Sequence, residues 1–247
     1  MISKVGGTVA KICPKCGEEL NQRGFCANCK ISFEVYEKIK LSSKQLYNQG
    51  LHLAKVRDLS GAINVLQRSV RFDKTNIDAR NLLGLVYFEI GETVLAIQQW
   101  VISKNQKPSD NIAGKYLKII QENQTHLDKL SSAIKKYNQA LQHIKQDSED
   151  LAVIQLKKVL SLNPKFIKAY ALLALCMIKE NQIPKAQKIL LKILTIDKNN
   201  YIARKYYDAI SEEEPISKVV QTEEESDSRQ EAAQPHRRAP VLFGSSF

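Results

Sequence analysis

From residue 43 to residue 210 apolar positions recur at steps of three and four, the mark of helices that bury one face. The chain's 10 glycines and 7 prolines fall mostly between these stretches, which favours helix over strand. The pattern also repeats. Gly50 and Gly84, Ala62 and Ala96, and Leu66 and Trp100 are each 34 residues apart. A second set keeps the same step: Ala140 and Ala174, Ala152 and Ala186, Leu156 and Leu190, Pro164 and Lys198. The two sets are related by an offset of 90, seen in Tyr47-Asn48-Gln49 against Tyr137-Asn138-Gln139 and in Ala62 against Ala152. Ninety is two repeats plus 22 residues. The pattern therefore predicts repeats at 43–76 and 77–110, a helical insert at 111–132, repeats at 133–166 and 167–200, and a closing helix at 201–210 that covers the last open apolar face.

The insert admits two readings. Tyr116, Ile120, Leu127, Leu130, Ile134, Tyr137, Leu141 and Ile144 follow alternating steps of four and three, with Asn123 in one place of the seam. One helix over residues 110–146 would be about 55 Å long. Two helices would break within residues 121–126, where apolar residues thin out.

Residues 77–110 carry the sharpest motif: Asn81-Leu82-Leu83-Gly84-Leu85-Val86-Tyr87, then Gly91, Ala96, Trp100 and Pro108. This resembles the tetratricopeptide repeat (TPR) family. Gly84 is small enough for a neighbouring helix to approach, Tyr87 and Trp100 fill the space between paired helices, Gly91 ends the first helix and Pro108 stops the second. The later repeats depart from the family pattern, with alanine for glycine at Ala140 and Ala174 and lysine for proline at Lys198. The resemblance implies an all-α, right-handed TPR helical solenoid whose first helices line a groove. Aligned on the family pattern, Lys44, Tyr47, Leu51, Asn81, Leu85, Phe88, Tyr137, Leu141, Ile144, Lys168, Leu175 and Ile178 face that groove. An amphipathic helix or an extended peptide with a few acids would complement such a surface. The lysine and asparagine clamp by which related repeats hold chaperone tails is absent, since Tyr47, Leu51 and Leu82 stand in its places.

Ahead of the repeats, Cys13-Pro14-Lys15-Cys16 is followed nine residues later by Cys26-Ala27-Asn28-Cys29. Two residues between cysteines let a tight turn aim both sulfurs at one ion, and two such turns supply four thiolates. Residues 10–32 resemble a zinc ribbon, which implies one structural Zn²⁺ held by Cys13, Cys16, Cys26 and Cys29. Four thiolates leave no position open for water or substrate, so the site is structural rather than catalytic. The fifth cysteine, Cys176, sits in an apolar helical run and reads as packing. Ribbon plus repeats resembles a bacterial type of chain that often runs on, sometimes to a membrane anchor. No anchor is present in this sequence, which raises the expectation of a fragment or a divergent form.

The formal charge of +11 is unevenly placed. Residues 211–247 carry eight acids and four bases, net −4, which leaves +15 on residues 1–210. The tail's composition cannot support a core and predicts disorder. The longest apolar run, 169–178, is half the roughly 20 residues that a bilayer span requires, and the N-terminus lacks a signal-peptide core. Both point to a cytoplasmic protein. No phosphate loop, nucleophile elbow or ligand-spaced histidine pair is present among His52, His126, His143 and His236. The sequence therefore predicts a non-enzymatic protein–protein scaffold. The alternative is a nucleic-acid-associated adaptor that uses the ribbon and the basic surface.

Overall fold

The structure, a computed structural model, describes residues 12–211. The tail expected to be disordered, and residues 10–11 of the expected ribbon, lie outside the described residues. Among the described residues ten helices follow a two-stranded antiparallel ribbon, β1 (Phe25–Cys26) and β2 (Ile31–Ser32). The chain divides into two compact units, Met1–Ser131 and Ser132–Phe247.

In the first unit α1 (Phe33–Lys55) packs on α2 (Leu59–Phe72), α3 (Ile77–Glu89) packs on α4 (Thr93–Gln106), and α5 (Ala113–Gln121) closes against α4. The later part of the chain holds α6 (Gln124–Lys145), α7 (Glu149–Leu162), α8 (Ile167–Lys179), α9 (Ile183–Ile196) and α10 (Tyr201–Ile210), with α8 on α9 and α10 on α9. The fold is thus all-α, built of paired helices of the tetratricopeptide type. Among the described residues no helix is long and apolar enough to cross a membrane.

The ends of the pairs are set by local chemistry. Asn76 caps α3 by accepting from the Ala79 N–H at 3.0 Å, and Asn200 caps α10 by accepting from Ala203 at 3.0 Å. The Asp197–Asn200 turn, where lysine replaces proline, still stops α9, because the Asn200 N–H donates to the Asp197 carbonyl at 3.1 Å and the Asn200 side chain donates to the Asp197 carboxylate at 3.1 Å. Inside each pair the turn needs one left-handed residue. Gly91 meets that need at φ 79°, while Arg57 (61°), Asp147 (50°) and Asn181 (56°) stand at the equivalent places.

The segment at 111–132 is two helices, interrupted at Glu122 and Asn123. Its division explains the 22 residues. Residues 113–121 form α5, whose buried Ala113 lies 90 residues before the buried Ala203 of α10. Residues 124–132 form the leading turns of α6, as residues 33–42 form those of α1. Each half of the chain is therefore two helix pairs followed by one closing helix.

Close approach within a pair rests on matched sizes. A Cβ added to Gly84 would lie 2.7 Å from Cδ1 of Trp100, too close for any real contact. Trp100 is fully buried, donates from Nε1 to the Asn81 carbonyl at 3.2 Å, and packs against Phe88 and Tyr116 at ring separations of 6.0 and 5.0 Å. Ninety residues on, Ala174 stands for Gly84 and Leu190 for Trp100, both at most 1% exposed. A smaller side chain on one helix thus accompanies a larger one on the other.

This pairing predicts a reversal of sign. Gly84→Ala gains about 1 kcal/mol of helix propensity but forces overpacking costing about 1–3 kcal/mol, so it should destabilise the chain. In a Trp100→Leu background the same substitution should stabilise it by about 1 kcal/mol. Urea unfolding of the four chains of this cycle checks the claim, and an unchanged sign would refute it.

Candidate metal centre and partner-binding faces

Each cysteine pair sits on its own tight turn. In the first, Cys13 accepts at its carbonyl from Gly17 N–H (2.9 Å), its own N–H donates to Glu18 (2.8 Å), and Ile12 bridges Glu19. In the second, Cys26 accepts from Lys30 N–H (2.8 Å), and the strands pair Phe25 with Ser32 and Cys26 with Ile31. Both turns end in the left-handed region, at Gly17 (φ 79°) and Lys30 (φ 54°). The loop between them is held by Asn21, whose Oδ1 accepts from the N–H groups of Arg23 (3.0 Å) and Phe25 (2.9 Å).

The result is convergence. All four Sγ atoms lie within 4.8 Å of one another, with Cys13 and Cys26 buried, Cys29 half-buried and Cys16 exposed. The Cys16 and Cys26 sulfurs are 3.4 Å apart, far beyond a disulfide's length of about 2.05 Å. A tetrahedral ion with metal–sulfur distances of about 2.3 Å places its sulfurs roughly 3.8 Å apart, so the cluster has the right size for a metal site.

Its electrostatics point the same way. The Lys15 backbone N–H, helped by that of Cys16, lowers the Cys13 thiol to about 7. Hydrogen bonding to the Cys16 sulfur, desolvation and the charge of the neighbouring sulfurs push Cys29 up to about 12. At Cys26 the Cys29 N–H acts to lower the value, but desolvation and the Cys16 and Cys13 sulfurs outweigh it and raise it. Four sulfurs this close resist sharing negative charge, and a bound cation removes that conflict. Cys176, 4% exposed on α8, is remote in kind: it packs in an apolar cluster, and burial pushes its thiol up.

The expected groove residues divide by exposure. Lys44 and Lys168 are exposed, while Tyr47, Leu51, Phe88, Tyr137, Leu141, Ile144, Leu175 and Ile178 are half-buried. Asn81 and Leu85 are buried, at 6% and 2% exposed. Asn81 donates to Asn111 Oδ1 at 3.0 Å and so is tied to the turn before α5. Phe88 lies on Trp100, Tyr137 on Phe166 at 4.9 Å, and Ile144 and Ile178 pack on the core of the second unit. These are structural partners that a pattern of types could not reveal.

Two exposed residues outside the expected groove set stand at its repeat positions. The step of 34 puts Ile134, Lys168 and Ile202 at matching places on α6, α8 and α10, and Leu141, Leu175 and Ala209 two turns further on. Ile134 and Ile202 are 38% and 52% exposed. Extending the repeat into the closing helix would have found Ile202.

A family model described as tetratricopeptide repeat matches residues 127–206. No curated protein matches the chain. Among solved structures, YrrB, a TPR protein with an unusual peptide-binding site, aligns at 15% identity over 72% of this chain and 80% of its own, with a TM-score of 0.30. MamA from Desulfovibrio magneticus aligns at 15% identity over 79% and 98%, with a TM-score of 0.30. The TPR domain of P58(IPK) aligns at 12% over 77% and 70%, with a TM-score of 0.31.

If the four sulfurs hold a metal, they should resist alkylation. Iodoacetamide applied to the native chain prepared without chelator should leave Cys13, Cys16, Cys26 and Cys29 unmodified by mass spectrometry, and a strong chelator should release all four together. Modification of the exposed Cys16 without chelator would count against a bound ion.

Proposed function

We propose that the chain is a non-enzymatic scaffold that binds a peptide or helix of a partner protein along the first helices of its repeats, with one Zn²⁺ serving a structural role in the N-terminal ribbon. The observation that carries the reading is the row of apolar side chains left open at matching repeat positions. In the second unit these are Ile134, Leu141, Leu175 and Ile202, with lysines set among them. In the first unit the places equivalent by the offset of 90 hold Lys44 and the half-buried Leu51 on α1, the buried Leu85 on α3, and Ile112, 45% exposed just before α5, so the apolar row is continuous in the second unit alone. Apolar surface repeated at one place on successive helices suits the i, i+3, i+4, i+7 anchors of an amphipathic helix. Zn²⁺ is the ion that four thiolates in two C-x2-C turns favour. The ribbon has almost no apolar core of its own, with Ile12 60% and Phe25 38% exposed, so a bound ion would supply much of its folding free energy.

Selection of binders from a displayed peptide library against the intact chain tests the scaffold reading. A selected peptide should bind at least tenfold more weakly to Leu175→Glu, with unchanged far-UV circular dichroism. Ile154→Glu, on the exposed surface of α7, should leave binding unchanged. A library that yields no binder, or binders indifferent to Leu175→Glu, would remove it. Metal analysis of the same preparation should give one zinc per chain.

A further inference from the structure

Building on the reading of the second unit's row as a docking surface, we infer that its resident occupant is the chain's own acidic C-terminal segment, residues 212–225, which a partner must displace.

Charge is the first argument. Residues 132–211 carry fourteen bases and six acids, net +8, while residues 212–231 carry eight acids and two bases, net −6. The order of residues is the second. Ile216, Val219 and Val220 stand between Glu212-Glu213-Glu214 and Glu223-Glu224-Glu225. The row opposite has the complementary make-up: Ile134, Leu141, Leu175 and Ile202 are flanked on the same helices by the exposed Lys145, Lys168 and Lys205. An apolar trio with acids on both sides meets an apolar row with lysines around it.

Reach is the third. The segment leaves from Ser211, directly after α10, which contributes Ile202 and Lys205 to the row. Ser211 is itself fixed, since the Gln187 side chain on α9 donates to its Oγ at 3.1 Å and to the Ile210 carbonyl at 3.4 Å. The twelve residues that follow Ser211, 212–223, extend up to about 40 Å, twice the roughly 20 Å length of α8. A tether this short gives an effective concentration on the order of millimolar, so even a weak contact keeps the row occupied.

Two measurements on the full chain test this. The first is zero-length carbodiimide cross-linking at low salt, with labelled and unlabelled chains mixed. Links within one chain from the tail glutamates to Lys145, Lys168 or Lys205 are expected. Links confined to Lys157 and Lys158 on α7, or found only between chains, would overturn the inference. In the second, a synthetic peptide of residues 212–227 is titrated into the unaltered chain and into a full-length variant carrying E212Q, E213Q, E214Q, E223Q, E224Q and E225Q. The variant should bind the peptide at least tenfold more tightly, and added salt should weaken that binding. Equal binding, or binding to neither, would overturn the inference. Failure of the displayed library against both the unaltered chain and the six-glutamine variant, with the expected cross-links present, would remove the scaffold reading alone. Library binders without those cross-links would remove the tail alone.

Discussion

Two helices can pack at close range only if the side chains between them leave room, and this constraint shapes the helix pairs. At Gly84 there is no room even for a methyl group, because Trp100 fills the space. Trp100 in turn organises what lies around it: Phe88 on its own pair, Tyr116 on the closing helix, and the Asn81 carbonyl through Nε1. In the first pair, between α1 and α2, hydroxyls also meet this constraint. Ser43 and Ser69 are both fully buried and donate to each other's carbonyls at 2.9 and 2.7 Å, and Asn76 donates to Ser43 Oγ at 2.9 Å. Such small polar contacts satisfy buried groups without spreading the helices.

The closing helices follow from the same logic. A helix pair buries one face on itself and leaves another open, so a row of pairs must end in something that covers the last face. α10 does this with Ala203 and Tyr207, and α5 with Ala113, Tyr116 and Leu117, all buried. Each also leaves an isoleucine exposed, Ile119 on α5 and Ile202 on α10. The need to end each row is thus also what leaves these apolar side chains exposed.

How much of this was legible depended on which interactions repeat. The 34-residue step was readable because glycine or alanine facing a larger residue recurs at Gly50, Gly84, Ala140 and Ala174. The cysteine spacing was readable because two residues is the length of the turn that aims both sulfurs inward. The division of residues 111–132 was harder to see, because the break at Glu122 and Asn123 carries neither glycine nor proline, and only the helix bounds reveal that α5 matches α10. Alignment on the family pattern puts Asn81 and Leu85 on the groove. Their burial depends on tertiary neighbours such as Asn111, which lies 30 residues away and belongs to no repeat motif.

The cysteine cluster and the first helix are joined more closely than their separate motifs suggest. β2 runs into α1 with no linker, since Ser32 ends the strand and is also the residue before Phe33. The Phe33 N–H donates to the Gly24 carbonyl at 2.8 Å, which ties the first residue of α1 to the loop that carries Cys26. The leading turns of α1 lie ahead of the first repeat and include the exposed Val35 and Leu41, so little apolar burial holds them. Four coordinated sulfurs would fix both turns of the ribbon at once, and through Gly24 and Ser32 they would fix the start of α1. An ion held by the four sulfurs would in this way set the direction in which the first helix begins.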